Sequence, residues 1–388
     1  MPTNNWLPRA AAVTEVKSGS INAYDAATTY TLTRNGKAVT SLAAGSAALA
    51  AAALVAAWEA SAEVELTEIT ATNPSGSTIM LTMDTPGVPS GPITLTATGG
   101  TGSVVAISTT TAATSSQHVD NILNWSLGAL PTTDDVQVDL GRGSMLYGLD
   151  QLTGTGMSLY VYASGRTSNT IGLPEVNEAG YVEDRPKRLL KSFTTVRLDC
   201  ESSLIRLDVA AVTATIEVRV TGDSGVDGQP AVLLAGTSAS NVFEVLAGEV
   251  GLAYYADEAV AGSVLRVGDN GSVVQGKNGG LITTVTTRGT VELHSTVTTL
   301  NQSAGSVVIE GSATPTIVMT GGTCDYAAGN PTAITVGNGG NIRFNEDLTP
   351  ITAGSVTLNK GGSFYDPARR VTITSLLRGS DVESLSAS

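Results

Sequence analysis

The sequence predicts a mainly β protein in which a small α+β N-terminal domain is followed by a parallel β-helix (β-solenoid). Three observations predict it. Aromatic residues are 4% and charged residues 14% of the 388 positions, and Thr, Ser, Gly, Val and Ala abound, which favours short strands and small-residue turns over charged amphipathic helices. An Asn35-Gly36 pair lies between two strand-like stretches, a hairpin signal. Glycines recur at positions 248, 271, 289, 305, 322, 340 and 362, the drifting period of stacked coils with variable turns.

Residues 1–21 read as an N-terminal arm and residues 22–100 as a ββαβββ domain. Thr29 to Thr33 alternates, Asn35-Gly36 turns with φ > 0, and Lys37 to Thr40 returns. Ser46 caps a helix running to about Ser61, with Ala47, Ala51, Leu54 and Trp58 on one face that covers the sheet. Strands over Ile69 to Thr72 and Thr78 to Met83 flank an Asn73-Pro74-Ser75-Gly76 turn, and Ile93 to Thr98 closes the domain. Residues 101–120, rich in Gly, Ser and Thr, read as a linker.

Residues 121–247 hold short strand candidates: Val136 to Leu140, Met157 to Tyr162, Val196 to Leu198, Leu204 to Val209, Thr215 to Val220 and Ala231 to Leu234. They suit stacked coils or a sandwich, and the expectation is that they are the first solenoid coils. Over residues 248–375 the repeat is explicit. Each phased glycine is followed by a polar residue and then by an apolar one, at Val250, Val273, Val291, Val307, Cys324, Ile342 and Phe364. Two residues on, Leu252, Leu293, Ile309, Tyr326 and Phe344 continue the alternation, which fails at Gln275 and Asp366. A second strand recurs between the glycines, over Val297 to Leu300, Thr316 to Met319, Ile334 to Gly337 and Val356 to Asn359. Arg369-Arg370 and Val371 to Thr374 form a cap, and residues 376–388 a flexible tail.

A net charge of −14 argues against binding a phosphate backbone. The one compact basic run, Arg185 to Arg188 with Lys191, reads as a solvated surface cluster. Cys200 and Cys324 stand far apart and form no CxxC, so neither a disulfide framework nor a zinc site is indicated. The N-terminal residues lack the order of a signal peptide, and the apolar window from Ala43 to Ala57 is shorter than the roughly 20 residues that span a bilayer.

Chemistry has few candidates. His118 and His294 have no recognisable partner nearby in sequence, so a triad or metal centre is not expected. Asp134, Asp135 and Asp139, or Asp257 and Glu258, are clustered enough for glycosidase work but read better as turn and surface acids. The loop Gly222 to Gly228 has two carboxylates yet lacks the acidic spacing of a calcium loop. Cys324 takes an inward repeat position and reads as inert packing. The expectation is no catalytic, cofactor-binding or metal site.

The stretch from Tyr30 to Val39, the Ala-rich helix, Glu68 to Thr72 and Ile79 to Asp84 resembles a small module of tailed-phage and prophage structural proteins. Asn124 to Gly128, Val136 to Asp139 and Tyr147 to Asp150 through Pro174, with the phased coils, resemble uncharacterised prophage proteins of the same kind. The resemblance implies a virion setting and carries over no functional residue. The expectation is a non-enzymatic virion structural protein assembled in the host cytoplasm, foremost a head decoration or cement protein. Its partners would be the major capsid protein or other virion proteins, with a homo-oligomer, a trimer by preference, and no nucleic-acid or membrane contact. The alternatives are a tail or baseplate component, or a glycan-binding or glycan-degrading tailspike-like adhesin.

Overall fold

The computed structural model describes the chain except residues 1, 42–44, 153, 166–167, 177–181, 187, 202–203, 223, 225–226, 278, 312–314, 345–348 and 380–388. It is mainly β, with a parallel β-solenoid of about 11 turns and a small α+β unit. Two compact units divide the chain. One holds the first six residues and the chain from Trp125 onward, and the other is centred on Leu7–Asn124.

The solenoid is held by two parallel ladders. In the first, Val136, Leu159, Val196, Ile216, Phe243, Leu265, Val285, Leu300, Ile317, Ile334 and Val356 stand in register on successive rungs, all buried. In the second, Ile205, Val232, Val250, Val273, Val291, Val307, Cys324, Ile342 and Phe364 stand in register likewise, all buried except the half-buried Phe364, preceded by bridges from Met145 to Ile171 and Ile171 to Ile205. Period-two alternation turns one face of every strand inward, and parallel stacking places like side chains over one another. Each fully buried aliphatic side chain contributes roughly 1.5 to 3 kcal/mol.

All seven phased positions predicted to face inward lie in this second column. The solenoid nevertheless begins long before residue 248. Its first rung is Thr3–Asn5, paired in parallel with Asp135–Asp139, so the expected N-terminal arm is instead an integral strand. The early coils escape the glycine period because their connections are long and irregular; one carries an antiparallel hairpin of Pro174–Val176 with Val182–Pro186. The strands expected at 136–140, 157–162, 196–198, 204–209, 215–220 and 231–234 form as solenoid rungs, not as a sandwich.

The glycines mark a corner where successive coils nearly touch. A Cβ on Gly289 would overlap the Gly271 carbonyl, one on Gly305 the Gly289 carbonyl, and one on Gly322 would meet the Gly305 carbonyl at 2.6 Å. Gly305 and Gly322 also take φ of 71° and 83°, a region that penalises any side chain. The break in alternation at Gln275 is chemical only. Its side chain still points inward, is buried, and donates from Nε2 to the Gly280 carbonyl at 3.0 Å. Asp366 ends the pattern by accepting from the backbone N–H groups of Arg370 and Val371 at 3.1 and 2.9 Å.

The C-terminal end is tied by Arg370. Its buried guanidinium donates to the carbonyls of Tyr326, Ala327, Phe344 and Thr349 at 2.9 to 3.2 Å, next to the mutually tilted rings of Tyr326, Phe344 and Phe364. The last rung, Val371–Arg378, pairs with Ile351–Leu358 and runs into the segment expected as tail; residues 380–388 lie outside the described ones.

The second unit has two antiparallel sheets, one ordered Ile69–Thr72, Thr78–Met83, Val16–Ala23, Ser103–Thr111, the other Lys37–Ser41, Thr29–Arg34, Ile93–Thr98. The expected hairpin forms, with Asn35 and Gly36 at φ of 48° and 78°. Ser46 caps helix Ala47–Glu59 by accepting from the Leu49 N–H at 3.2 Å, and Ala50, Ala51, Leu54 and Trp58 are its buried residues. The unit exceeds the expected ββαβββ by two strands, Val16–Ala23 and Ser103–Thr111. They pair with each other, so the expected arm and linker are both sheet. The second of them is mostly exposed, and its Ser and Thr content hides it from a hydrophobic pattern. Asn124 closes the unit, its buried amide accepting from the Arg9 and Ala10 N–H groups and donating to the carbonyls of Ser115 and His118, all at 2.8 to 2.9 Å.

Candidate functional site

Four of the five acids weighed as catalytic candidates have partners within the fold, and the fifth, Asp135, is half-buried at the start of a solenoid strand. Asp139 accepts from the N–H groups of Gly141 and Ser164, both at 2.9 Å, and from Arg142 Nε at 3.2 Å. Burial alone would raise its pKa; these hydrogen bonds outweigh it and hold the carboxyl below its usual range. Asp134 accepts from the buried amide of Asn4 at 3.4 Å. Glu258 is buried against Arg206, with Nε to Oε1 at 2.7 Å, and Asp257 lies 3.5 Å from the same guanidinium. The ring of Tyr255 lies 5.3 Å from that guanidinium and meets Tyr254 edge-on at 5.4 Å.

Other sequence candidates settle as follows. Lys191 is not a solvated surface residue. It is buried, its ammonium donates to the Leu152 carbonyl, and burial lowers its pKa. Arg188 pairs with Asp208 at 2.9 Å, and Lys187 lies outside the described residues. Residues 223, 225 and 226 of the loop considered for calcium also lie outside them. Cys324 is fully buried, which pushes its thiol far above the ordinary range, as expected of inert packing. His118 is buried in the second unit, between the Gly87 carbonyl at 3.0 Å and Asp120 Oδ1 at 3.3 Å. Burial would lower its pKa, but the bonds to Asp120 and Gly87 raise it overall.

His294 departs from the expectation of an isolated histidine. Leu293 pairs with Ile309 on the next rung, so the residues that follow, His294 and Glu310, come together. His294 Nδ1 lies 2.8 Å from Glu310 Oε2, and Nε2 lies 2.6 Å from Glu292 Oε1. The imidazole is 13% exposed and the two carboxylates 40% and 43%. One ligand atom from each of the three residues can be chosen so that all lie within 4.8 Å of one another.

Glu292 and His294 also line a cavity of about 480 Å³, together with Tyr254, Gln275, Gly276 and Lys277. Glu292 is in register with Val274 on the rung below, so the cavity opens on one side of His294 and Glu310 stands on the other. This cluster was missed because its members are 16 to 18 residues apart or alternate along a strand. The coil period that makes them neighbours is itself visible in the glycines at 289 and 305.

Comparison with known proteins finds no matching family model, no similar curated protein and no similar solved structure.

Proposed function

We propose that this chain is a non-enzymatic structural protein of a virion, foremost a head decoration or cement protein in which the solenoid serves as a rigid body. One observation carries the structural part of the reading. The inward column of the first ladder runs unbroken from Val136 to Val356, and the acids and arginines beside it hold coils together. Such a fold resists bending because every coil is bonded to its neighbours along two ladders. The virion setting comes from the resemblance of the N-terminal module and the phased coils to phage structural proteins. The last rung, an eight-residue strand with Leu376 and Leu377 39% and 58% exposed, supports association with another subunit by edge pairing.

The test is co-sedimentation of the purified chain with capsids, followed by negative-stain imaging of labelled particles. Stoichiometric, saturable decoration of heads is the expected result. Label confined to tails would move the protein to the tail or baseplate, and absence from particles would end the virion reading.

A second reading, a glycan-binding or glycan-degrading adhesin, is favoured by the cavity beside Tyr254, Lys277, Glu292 and His294. Release of reducing sugar from host polysaccharide, abolished by Glu292→Gln, would replace the non-enzymatic reading with this one.

A further inference from the structure

The surroundings of His294 call for positive charge, which either a second ring proton or a bound cation supplies. A neutral imidazole has one N–H to donate and one nitrogen lone pair that only accepts. Here both ring nitrogens face carboxylate oxygens, at 2.6 and 2.8 Å, and carboxylates only accept. One N–H satisfies one of them. The other contact sets a lone pair against a carboxylate oxygen unless a positive centre lies between or beside them.

The two sides of the ring are not equivalent. On one side Glu310, from the next coil, is held in place by the ladder, since its N–H donates to the Leu293 carbonyl at 2.9 Å. On the other, Glu292 and His294 border the cavity, which has room for a cation and its remaining water ligands. In metal sites a ligating histidine commonly gives its second N–H to a carboxylate, which fixes the tautomer and raises the basicity of the ligating nitrogen.

We propose that Glu292 and His294 bind a divalent transition-metal cation of the zinc class at the cavity mouth, with Glu310 as the positioning carboxylate. His294 Nε2 and a Glu292 oxygen are the ligands, and the Nδ1–H donates to Glu310. The imidazole ligand favours zinc and its neighbours over calcium or magnesium, which prefer all-oxygen sites. The remaining positions are left to water or to a donor entering the cavity. Both ligands come from one coil, and the contact from His294 to Glu310 joins that coil to the next.

The experiment is calorimetric titration of the full chain with zinc chloride in chelator-free buffer, with zinc-edge absorption spectroscopy of the loaded protein. One saturable equivalent is expected, with one imidazole in the zinc shell. His294→Gln should abolish the site. Glu310→Gln, which removes only the positioning group, should weaken it by about 10- to 100-fold. His118→Gln and Glu249→Gln should bind as wild type does, and all four variants should keep the far-ultraviolet spectrum of the parent. The proposal is overturned by absence of a saturable equivalent in the wild type. It is equally overturned if His294→Gln binds undiminished or if the bound zinc shows no imidazole; the ring would then be an imidazolium bridging its two carboxylates.

Discussion

Trp6 and Trp125 meet edge to face, their ring centroids 5.3 Å apart and their planes at 66°, and both are buried. The contact sits where the chain leaves the solenoid after its first strand and where it returns, and a backbone bridge joins the same two residues. The solenoid's first two rungs therefore come from segments separated by the whole of Leu7–Asn124. Trp6→Ala removes a large buried ring at this junction. It should cost about 3 to 5 kcal/mol in urea unfolding and expose the Thr3–Asn5 amides to hydrogen exchange. Unchanged protection of those amides would separate the ring from the strand it is argued to anchor.

Arg206 and Glu258 form a buried pair, where the loss of one partner is worse than the loss of both. Glu258→Ala should destabilise by about 3 to 5 kcal/mol, since it removes the buried carboxylate partner of a buried guanidinium and leaves it the exposed Asp257 charge at 3.5 Å. Arg206→Met combined with Glu258→Leu should recover most of that loss. A double variant as unstable as the sum of the single ones would mean that the two side chains are not energetically coupled.

Gly305 combines a φ of 71° with the overlap that a Cβ would make on the Gly289 carbonyl. Gly305→Ala should destabilise by roughly 2 kcal/mol or more. Gly165, where a Cβ meets nothing within 4 Å and φ is not in the left-handed range, should accept Ala with little change. Equal melting temperatures for the two variants would remove the close-approach account of the glycine phase.

His118 predicts a pH dependence for the smaller unit. Its folded pKa is raised, so its contribution is fully present below about 6.5, the unfolded value, and is lost as pH rises through the folded one. Asp120 has a lowered pKa, chiefly through the hydrogen bond from His118, so its contribution is present above about 3.9, the ordinary aspartate value, and is lost as pH falls through the folded pKa. Hydrogen-exchange protection around Val119 should therefore be highest between about pH 4 and 6.5 and fall toward pH 8. In His118→Gln the decline toward alkaline pH should vanish; if it persists, another group is responsible.

Local pattern alone determined a good deal about this protein. The Asn35-Gly36 hairpin, the Ser46 cap and the inward column from Val250 to Phe364 are short-range facts, because turn chemistry, capping and period-two alternation are written within a few residues. Tertiary structure decided what depends on pairing across distance. Thr3–Asn5 and Ser103–Thr111 carry little hydrophobic signal, yet each becomes a strand because a partner far along the chain supplies its hydrogen bonds. Gln275 points inward against its polarity because the Gly280 carbonyl is there to accept. Glu292, His294 and Glu310 meet because one turn of the solenoid carries the chain back over itself, and a spacing set by coil length rather than by strand period is what a reading of neighbours along the chain passes over.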